Sequence, residues 1–210
     1  MKISDAGILE QIDAPWGLQR ISKAPSGRFH FKEKAGNGTY IYVLDTGIDL
    51  EHEDFEGRAE FSYDATAKHM KYVNAVHRTR AHGTHVASIA AGAKFGVAKD
   101  ARLIDVKMLR EPEEPFGINS FKMVYDGFQW AVDDILRQKR VGQAVINMSL
   151  GAREIGNSCD EFSYLIETAL EKGIHVVMSA GNDNMAAELF CPGNTRWGIT
   201  VGAVDEHYNR

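Results

Sequence analysis

Short apolar runs alternate with helical segments along most of the chain, and this order restricts the sheet that the runs can form. Runs rich in β-branched and other apolar residues predict strands at 41–44, 101–109, 144–150, 174–179 and 199–204. Helical spacing of apolar residues, or a small-residue composition, predicts helices at 83–91, 121–136 and 160–172. Parallel neighbouring strands need crossover connections long enough to hold a helix. The alternation therefore predicts a three-layer α/β/α fold with a mostly parallel sheet in the middle.

Length and composition favour one compact domain. The chain has 210 residues, of which 44% are hydrophobic and 25% charged, as in ordinary globular proteins. We distinguish a polar lead, 1–13, from a domain that covers 14–210. The net charge of -5 is spread without a long run of one sign, so we expect no nucleic-acid partner. We also expect no membrane span, and the sequence shows no export signal.

Candidate functional residues stand where the predicted strands end, because reactive groups in open α/β sheets gather beyond the carboxyl ends of the strands. Four short strings occupy such places or open a predicted helix: Asp45-Thr46-Gly47, His82-Gly83-Thr84-His85, Ser149-Leu150-Gly151 and Ser179-Ala180-Gly181-Asn182. Each string alone is a weak signal, since two histidines three residues apart also occur as metal ligands.

In this order, the four strings resemble the subtilase family of serine proteases. Three further strings agree with that resemblance: Ala14-Pro15-Trp16-Gly17-Leu18, Gly57-Arg58-Ala59 and Gly202-Ala203-Val204-Asp205. The first of them is similar to the mature start of the proteinase K-like branch, and the resemblance extends from about Ala14 to Arg210. It implies a subtilisin-like fold, serine endopeptidase activity on polypeptide substrates and an extracellular location.

The resemblance also implies a role for each matching residue. Asp45 would hold the imidazole of His82 in one tautomer, and His82 would act first as general base and then as general acid. Asn182 would donate its side-chain amide to the oxyanion of the tetrahedral intermediate. An extended substrate or inhibitor peptide would add as a strand. The residues implied to bind it are Ser149, Leu150, Gly151, Phe116, Gly117, Ala180 and Gly181.

The nucleophilic serine is missing from its expected context. The family carries it downstream in a Gly-Thr-Ser-Met-Ala string, and none of the ten serines of the chain lies in such a string. We therefore expect the domain at 14–210 to lack its C-terminal part, to expose apolar surface on the helix at 83–91 and to be inactive alone. One alternative is a non-catalytic module that binds peptides or sequesters an inhibitor. Another is a metal-dependent hydrolase that uses Asp45, His82 and His85.

Other polar residues have structural interpretations. A solvated loop is the expectation for the polar run Asp49, Glu51, His52, Glu53 and Asp54. We expect His85 to be packed or hydrogen-bonded, and Ser149 and Ser179 to be satisfied by backbone groups at strand ends. The two cysteines, Cys159 and Cys191, are compatible with one disulfide or with two thiols, and either is favoured over a nucleophilic role of Cys159.

The family chemistry requires no cofactor. A structural calcium ion is the metal that the resemblance implies, because oxygen ligands suit a hard cation. Its expected ligands are Pro192, Asn194 and Asp205.

Overall fold

A computed structural model describes residues 2–3, 7–22, 24–25, 27–67, 81–109, 118–153 and 158–210. In these ranges the strands are β1 (Lys2–Ile3), β2 (Ile8–Ile12), β3 (Arg28–Lys32), β4 (Tyr40–Asp45), β5 (Ala59–Asp64), β6 (Arg102–Lys107), β7 (Ala144–Met148), β8 (Ala152–Arg153), β9 (His175–Ser179), β10 (Phe190–Cys191) and β11 (Ile199–Val201). The α-helices are α1 (Trp16–Ser22), α2 (Ala81–Ala91), α3 (Ile118–Arg137) and α4 (Ser158–Glu171), and Glu53–Phe55 and Ala187–Leu189 are short 3₁₀ helices.

Six strands form one parallel sheet in the order β11-β9-β7-β4-β6-β5. Strand β4 is central, and it pairs in parallel with β6 on one side and with β7 on the other. All five strands predicted from the apolar runs are present, and the predicted mostly parallel α/β fold is confirmed. Strand β5, at one edge of the sheet, was not predicted. Since the six strands are parallel, their carboxyl ends lie side by side, and we call this side of the sheet its carboxyl edge.

Both faces of this sheet are covered, because successive side chains of a strand point to opposite faces. On β4, Tyr42 and Leu44 belong to a buried cluster that includes Phe128 of α3 and Ile166 of α4. The intervening Val43 belongs to a second cluster that includes Ala87 and Ala91 of α2. Helix α2 therefore packs on one face and α3 with α4 on the other, which gives the three layers.

A small antiparallel sheet, β1-β2-β3, precedes the main sheet. Most of the polar lead is thus paired, since Ile8–Ile12 aligns residue by residue with Arg28–Lys32. Its small core contains Ala14, Leu18 and Phe29. The Nζ atom of Lys99 lies 5.3 Å from the centre of the Phe31 ring, and this cation–π contact joins the small sheet to the loop that precedes β6.

The bounds of the predicted helices shift slightly. Helix α3 begins at Ile118, three residues earlier than predicted, and α4 at Ser158, two residues earlier. None of the helices within the described ranges is both long and apolar enough to cross a membrane.

Candidate active site

Two candidate residues meet at the carboxyl end of the central strand. Asp45 is the last residue of β4 and is fully buried, whereas the side chain of His82, near the start of α2, is 53% exposed. The Nδ1 atom of His82 lies 2.7 Å from Oδ1 of Asp45. The carboxylate is therefore shielded from water while the imidazole stays accessible.

Asp45 is oriented by its own backbone surroundings. The backbone N–H of Thr46 donates to Asp45 Oδ1 over 2.6 Å. The Asp45 carbonyl accepts from the backbone N–H groups of Met108 and Leu109, at 2.9 and 3.1 Å. The other carboxylate oxygen, Oδ2, is buried and has no hydrogen-bond partner in the described part of the chain. The bond to His82 is thus the principal side-chain contact of this carboxylate.

The start of α2 is fastened to the loop that follows β4. The N–H of Gly83 donates to Thr46 Oγ1 over 3.1 Å, and the N–H of Asp49 donates to Thr84 Oγ1 over 2.8 Å. A side chain at position 83 does not fit there, because a Cβ atom would lie 2.3 Å from the carbonyl oxygen of Gly47. The small residues after His82 therefore allow the helix to approach β4 closely.

The end of α2 is fastened by Asp54, and here the sequence-based expectation was wrong. Asp54 belongs to the run expected to form a solvated loop, yet it is only 6% exposed. Its Oδ2 atom accepts from the Ser88 hydroxyl over 2.5 Å, and its Oδ1 atom accepts from the N–H of Lys94 over 2.7 Å. Apolar Phe55 carries the segment against α2 and buries the neighbouring carboxylate with it. The other residues of that run, Asp49, Glu51, His52 and Glu53, are exposed as expected.

Asn182 lies in the loop that follows β9, at the same edge of the sheet as Asp45, and its side chain is exposed. The preceding residues are ordered by local contacts. The N–H of Gly181 donates to Ser179 Oγ over 3.0 Å, and the N–H of Ala180 donates to the carbonyl of Val201. Gly181 has φ of +90° and packs against the ring of Phe190, so a side chain at 181 would be strained.

The structure describes five of the seven residues expected to bind a peptide. Gly151 is exposed after β7, Leu150 packs against the main core, and Ser149 Oγ accepts from the Asn147 side chain over 3.0 Å. Among the described residues, the partner of Ser149 is a side chain, whereas Ser179 accepts from a backbone N–H group as expected. Phe116 and Gly117 lie outside the described residues.

A large apolar groove runs along the outer side of α2. Its volume is about 1450 Å³. Its lining includes Trp16 and Ile21 of α1, Ile89 of α2, and Phe95 and Val97, and these five apolar side chains are 42–59% exposed. Apolar surface on α2 is therefore open to solvent, in agreement with the exposure expected for this helix.

His85 also lines this groove, and it is exposed, so the expectation that it is packed was wrong, whereas the hydrogen-bonded alternative stays a prediction. His85, one turn after His82, thus faces the groove between α2 and α1. Asp45, His82 and His85 do not form a metal site, since no group of three or more His, Cys, Asp or Glu side chains within the described ranges could hold a metal ion. The metal-dependent hydrolase is therefore not supported.

The three expected calcium ligands differ in their surroundings. The Asn194 Oδ1 atom is buried and has no hydrogen-bond partner among the described residues, which is compatible with a cation ligand. The exposed carboxylate of Asp205 accepts from the Asn209 side chain and from the N–H groups of His207 and Asn209. These bonds, the Asn209 side chain first, lower the pKa of Asp205. The Pro192 carbonyl accepts from the N–H of Thr195.

The two cysteines lie in the main core. Cys159 of α4 and Cys191 of β10 are both buried and carry thiols. This corresponds to the thiol alternative of the sequence analysis, and burial in apolar surroundings leaves Cys159 unsuited to act as a nucleophile.

A buried carboxylate bonded to an accessible histidine, at the carboxyl edge of a parallel sheet, is an arrangement that suits acid–base chemistry. The family model of the subtilase family, peptidase S8, matches residues 36–210. The chain belongs to this family of serine proteases.

Individual relatives of the chain bear names that agree with this family. "Alkaline protease 1" of Aspergillus flavus is 38% identical over 97% of this chain and 47% of that protein. "Subtilisin-like protease 3" of Pseudogymnoascus destructans is 39% identical over 100% of this chain and 50% of that protein. A cold-adapted subtilisin-like serine proteinase of known crystal structure superposes with a TM-score of 0.73 at 29% identity, over 92% of this chain and 66% of that one. The chain spans about half the length of the curated relatives that it matches.

Proposed function

We propose that this chain supplies the aspartate–histidine pair of a subtilase-type serine endopeptidase. The observation that carries the proposal is the 2.7 Å contact between His82 Nδ1 and Asp45 Oδ1, made by a fully buried carboxylate and a half-exposed imidazole. Membership of the subtilase family supports it.

The geometry suits proton transfer by His82. When Nδ1 carries the hydrogen that Asp45 accepts, Nε2 is the basic nitrogen and takes the proton of a serine hydroxyl. The same nitrogen then returns the proton to the leaving amine. Asp45 stabilises the imidazolium that exists between these two steps. A buried carboxylate acts strongly in this role, because little water screens its charge.

Asn182 completes the polar site by donating its amide to the oxyanion. It lies on an exposed loop at the same sheet edge as Asp45, and the glycine before it holds a conformation that other residues avoid. A polypeptide substrate binds in extended form beside Ser149–Gly151 and Ala180–Gly181, and the resemblance to the family adds Phe116 and Gly117 to the residues that bind it. Calcium bound through Pro192, Asn194 and Asp205 supplies structural support, and an extracellular location follows from the family.

The covalent step needs a serine that this chain does not offer in the family context, so we propose that the chain alone does not hydrolyse peptides. In subtilisin, which uses the same triad, loss of the serine lowers turnover by about a millionfold. A non-catalytic peptide-binding or inhibitor-sequestering role is the second candidate.

A fluorophosphonate probe, which labels activated serines covalently, tests this proposal. We expect no labelling of the chain alone, and labelling of a longer polypeptide that includes the serine string. In the longer polypeptide, His82→Gln should abolish labelling, while His175→Gln, at an exposed histidine at the start of β9, should preserve it. Labelling of the 210-residue chain that disappears in His82→Gln would contradict our proposal that the chain alone has no activated serine. Retained labelling in the longer His82→Gln variant would remove His82 from the mechanism.

A further inference from the structure

The buried carboxylate of Asp54 is connected to the helix that carries His82, yet it lies away from the reacting atoms. Asp54 is in the 3₁₀ helix Glu53–Phe55, and its acceptor contacts reach Ser88 of α2 and the backbone of Lys94 just after α2. The Asp54 carbonyl accepts in addition from the N–H of Ala93 over 2.7 Å. One residue thus receives three hydrogen bonds from the last turn of α2 and the residues that follow it.

The fit around Asp54 is close. A Cβ atom at Gly92 would lie 1.8 Å from Asp54 Oδ2, so only glycine at 92 leaves room for the carboxylate. Arg58 strengthens the same junction, because its guanidinium donates to the carbonyls of Ala91 and Ala101 over 2.7 and 3.1 Å. The end of α2 therefore has one well-defined position.

Helix α2 depends on such external contacts. It has only 11 residues, and isolated helices of that length are marginal in water. Ser88 stands six residues after His82, which is about 9 Å along the helix axis. A slide or rotation of α2 at Ser88 is transmitted to His82, because the helix between them moves as one body. At the other end, the His82–Asp45 bond tolerates little displacement, since hydrogen bonds weaken steeply when stretched or bent.

We infer that Asp54 is a positioning residue: by fixing the end of α2 through Ser88 and Lys94, it holds His82 in register with Asp45. The inference rests on the proposed function, in which His82 and Asp45 act as a pair. Asp54 touches neither of them and takes no part in proton transfer. Its effect is on the persistence of the Nδ1–H hydrogen bond.

The test measures that hydrogen bond directly, in the full 210-residue chain. Proton NMR of ¹⁵N-histidine-labelled protein detects the Nδ1 proton of His82, identified by its loss in His82→Gln, and its rate of exchange with water reports how often the bond to Asp45 opens. Asp54→Asn keeps the shape and removes one acceptor. We expect exchange to become roughly fivefold faster or more, the change that corresponds to one lost hydrogen bond. Ser88→Ala removes the matching donor and should act in the same direction.

Asp134→Asn is the matched control. Asp134 is also a buried carboxylate, 4% exposed, that accepts from a hydroxyl, Tyr42 Oη at 2.6 Å, but it lies on α3 behind the opposite face of the sheet. At equal folded fractions it should leave the exchange rate within about twofold of the parent chain.

Faster exchange in Asp54→Asn or Ser88→Ala, and not in Asp134→Asn, supports the inference. Equal rates in all variants, or equal acceleration in the control, overturn it while the proposed function stands. If Asp54→Asn does not fold, Ser88→Ala alone decides. Absence of the His82 resonance from the parent chain would overturn the pairing itself, and the positioning role with it.

Discussion

His82 and Asp45 are 37 positions apart in the chain, yet the Nδ1 atom of the imidazole lies 2.7 Å from Oδ1 of the carboxylate. Only the carboxylate is fully buried. A charged group in the interior needs a hydrogen-bonding partner, and the partner of the Asp45 carboxylate is the imidazole of His82, which faces solvent. The asymmetry makes the pair directional, because a proton can reach the imidazole from outside but not the carboxylate.

Replacement of Asp45 should therefore remove most of the catalysis without unfolding the protein. In a longer polypeptide that contains the nucleophile, Asp45→Asn should lower kcat by about ten-thousand-fold, as in another serine protease, because asparagine favours the wrong tautomer of the histidine. Steady-state hydrolysis of a peptide substrate measures this. Asp49→Asn, at an exposed carboxylate in the same loop, should leave kcat unchanged, and an equal loss in both variants would contradict the special role of Asp45.

The contact between α2 and the loop after β4 should not tolerate a methyl group. Gly83→Ala places a Cβ atom 2.3 Å from the Gly47 carbonyl oxygen, and we expect the free energy of unfolding to fall by about 1–3 kcal/mol as the helix moves away. Urea denaturation gives this value.

The control for Gly83→Ala is Gly17→Ala in α1, where a Cβ atom meets nothing within 4 Å. That variant should be neutral or more stable by about 0.5–1 kcal/mol, since alanine is the better helix former. A stable Gly83→Ala variant would show that α2 packs less closely than described.

Lys99 should make stability depend on alkaline pH. Burial lowers its pKa from 10.5 to about 8, with nearby Arg58 acting in the same direction and Asp54 in the opposite one. Between these two values the unfolded chain binds the proton that the folded chain has released, so the free energy of unfolding should rise as the pH rises from 8 to 10.5. Denaturation at a series of pH values measures the rise.

Lys99→Met should weaken this rise, because methionine does not titrate. Lys94→Met, at an exposed lysine of the same loop, should keep the rise. A pH profile that is the same in the Lys99→Met variant as in the parent chain would show that Lys99 is not the group responsible.

The open groove beside α2 should make the chain bind a hydrophobic dye and unfold with low cooperativity. Ile89→Gln should reduce dye fluorescence, because Ile89 is 52% exposed in the groove lining. Val141→Gln, at a residue that is 41% exposed elsewhere, should reduce it less. Dye titration and calorimetry decide: a sharp transition above about 60 °C without dye binding would refute the prediction.

The sequence was informative where side chains are buried on both faces of the sheet. Strand β4 is an unbroken apolar run that ends at Asp45, and α2 is a stretch of small residues after His82. Strand β5 was missed because it lies at the edge, where Phe61 is 52% exposed and charged residues are tolerated. The pairing of β2 with β3 was missed for a similar reason, since both strands carry charges and β2 has no fully buried side chain.

The supports of the site were harder to predict than its two main residues. Asp45 and His82 stand in recognisable strings, whereas Asp54 stands in a polar run that resembles any solvated loop. Its burial depends on Phe55, which is fully buried, and on the absence of a side chain at Gly92. Both are tertiary contacts, and local sequence does not encode them. The available signal in the sequence was the aromatic residue Phe55 directly after Asp54.

The contacts described for the Asp45–His82 pair and for both ends of α2 all come from residues 45–109. Synthesis proceeds from the N-terminus, and N-terminal units of a protein begin to fold first. The hydrogen bonds that hold Asp45 and His82 therefore all join residues synthesised before Asn182, whereas the strand that carries Asp45 is completed only when β7 pairs with it and α3 and α4 cover its face. The two residues of the pair and Asn182 are thus held in place by contacts from separate parts of the chain, joined through one sheet.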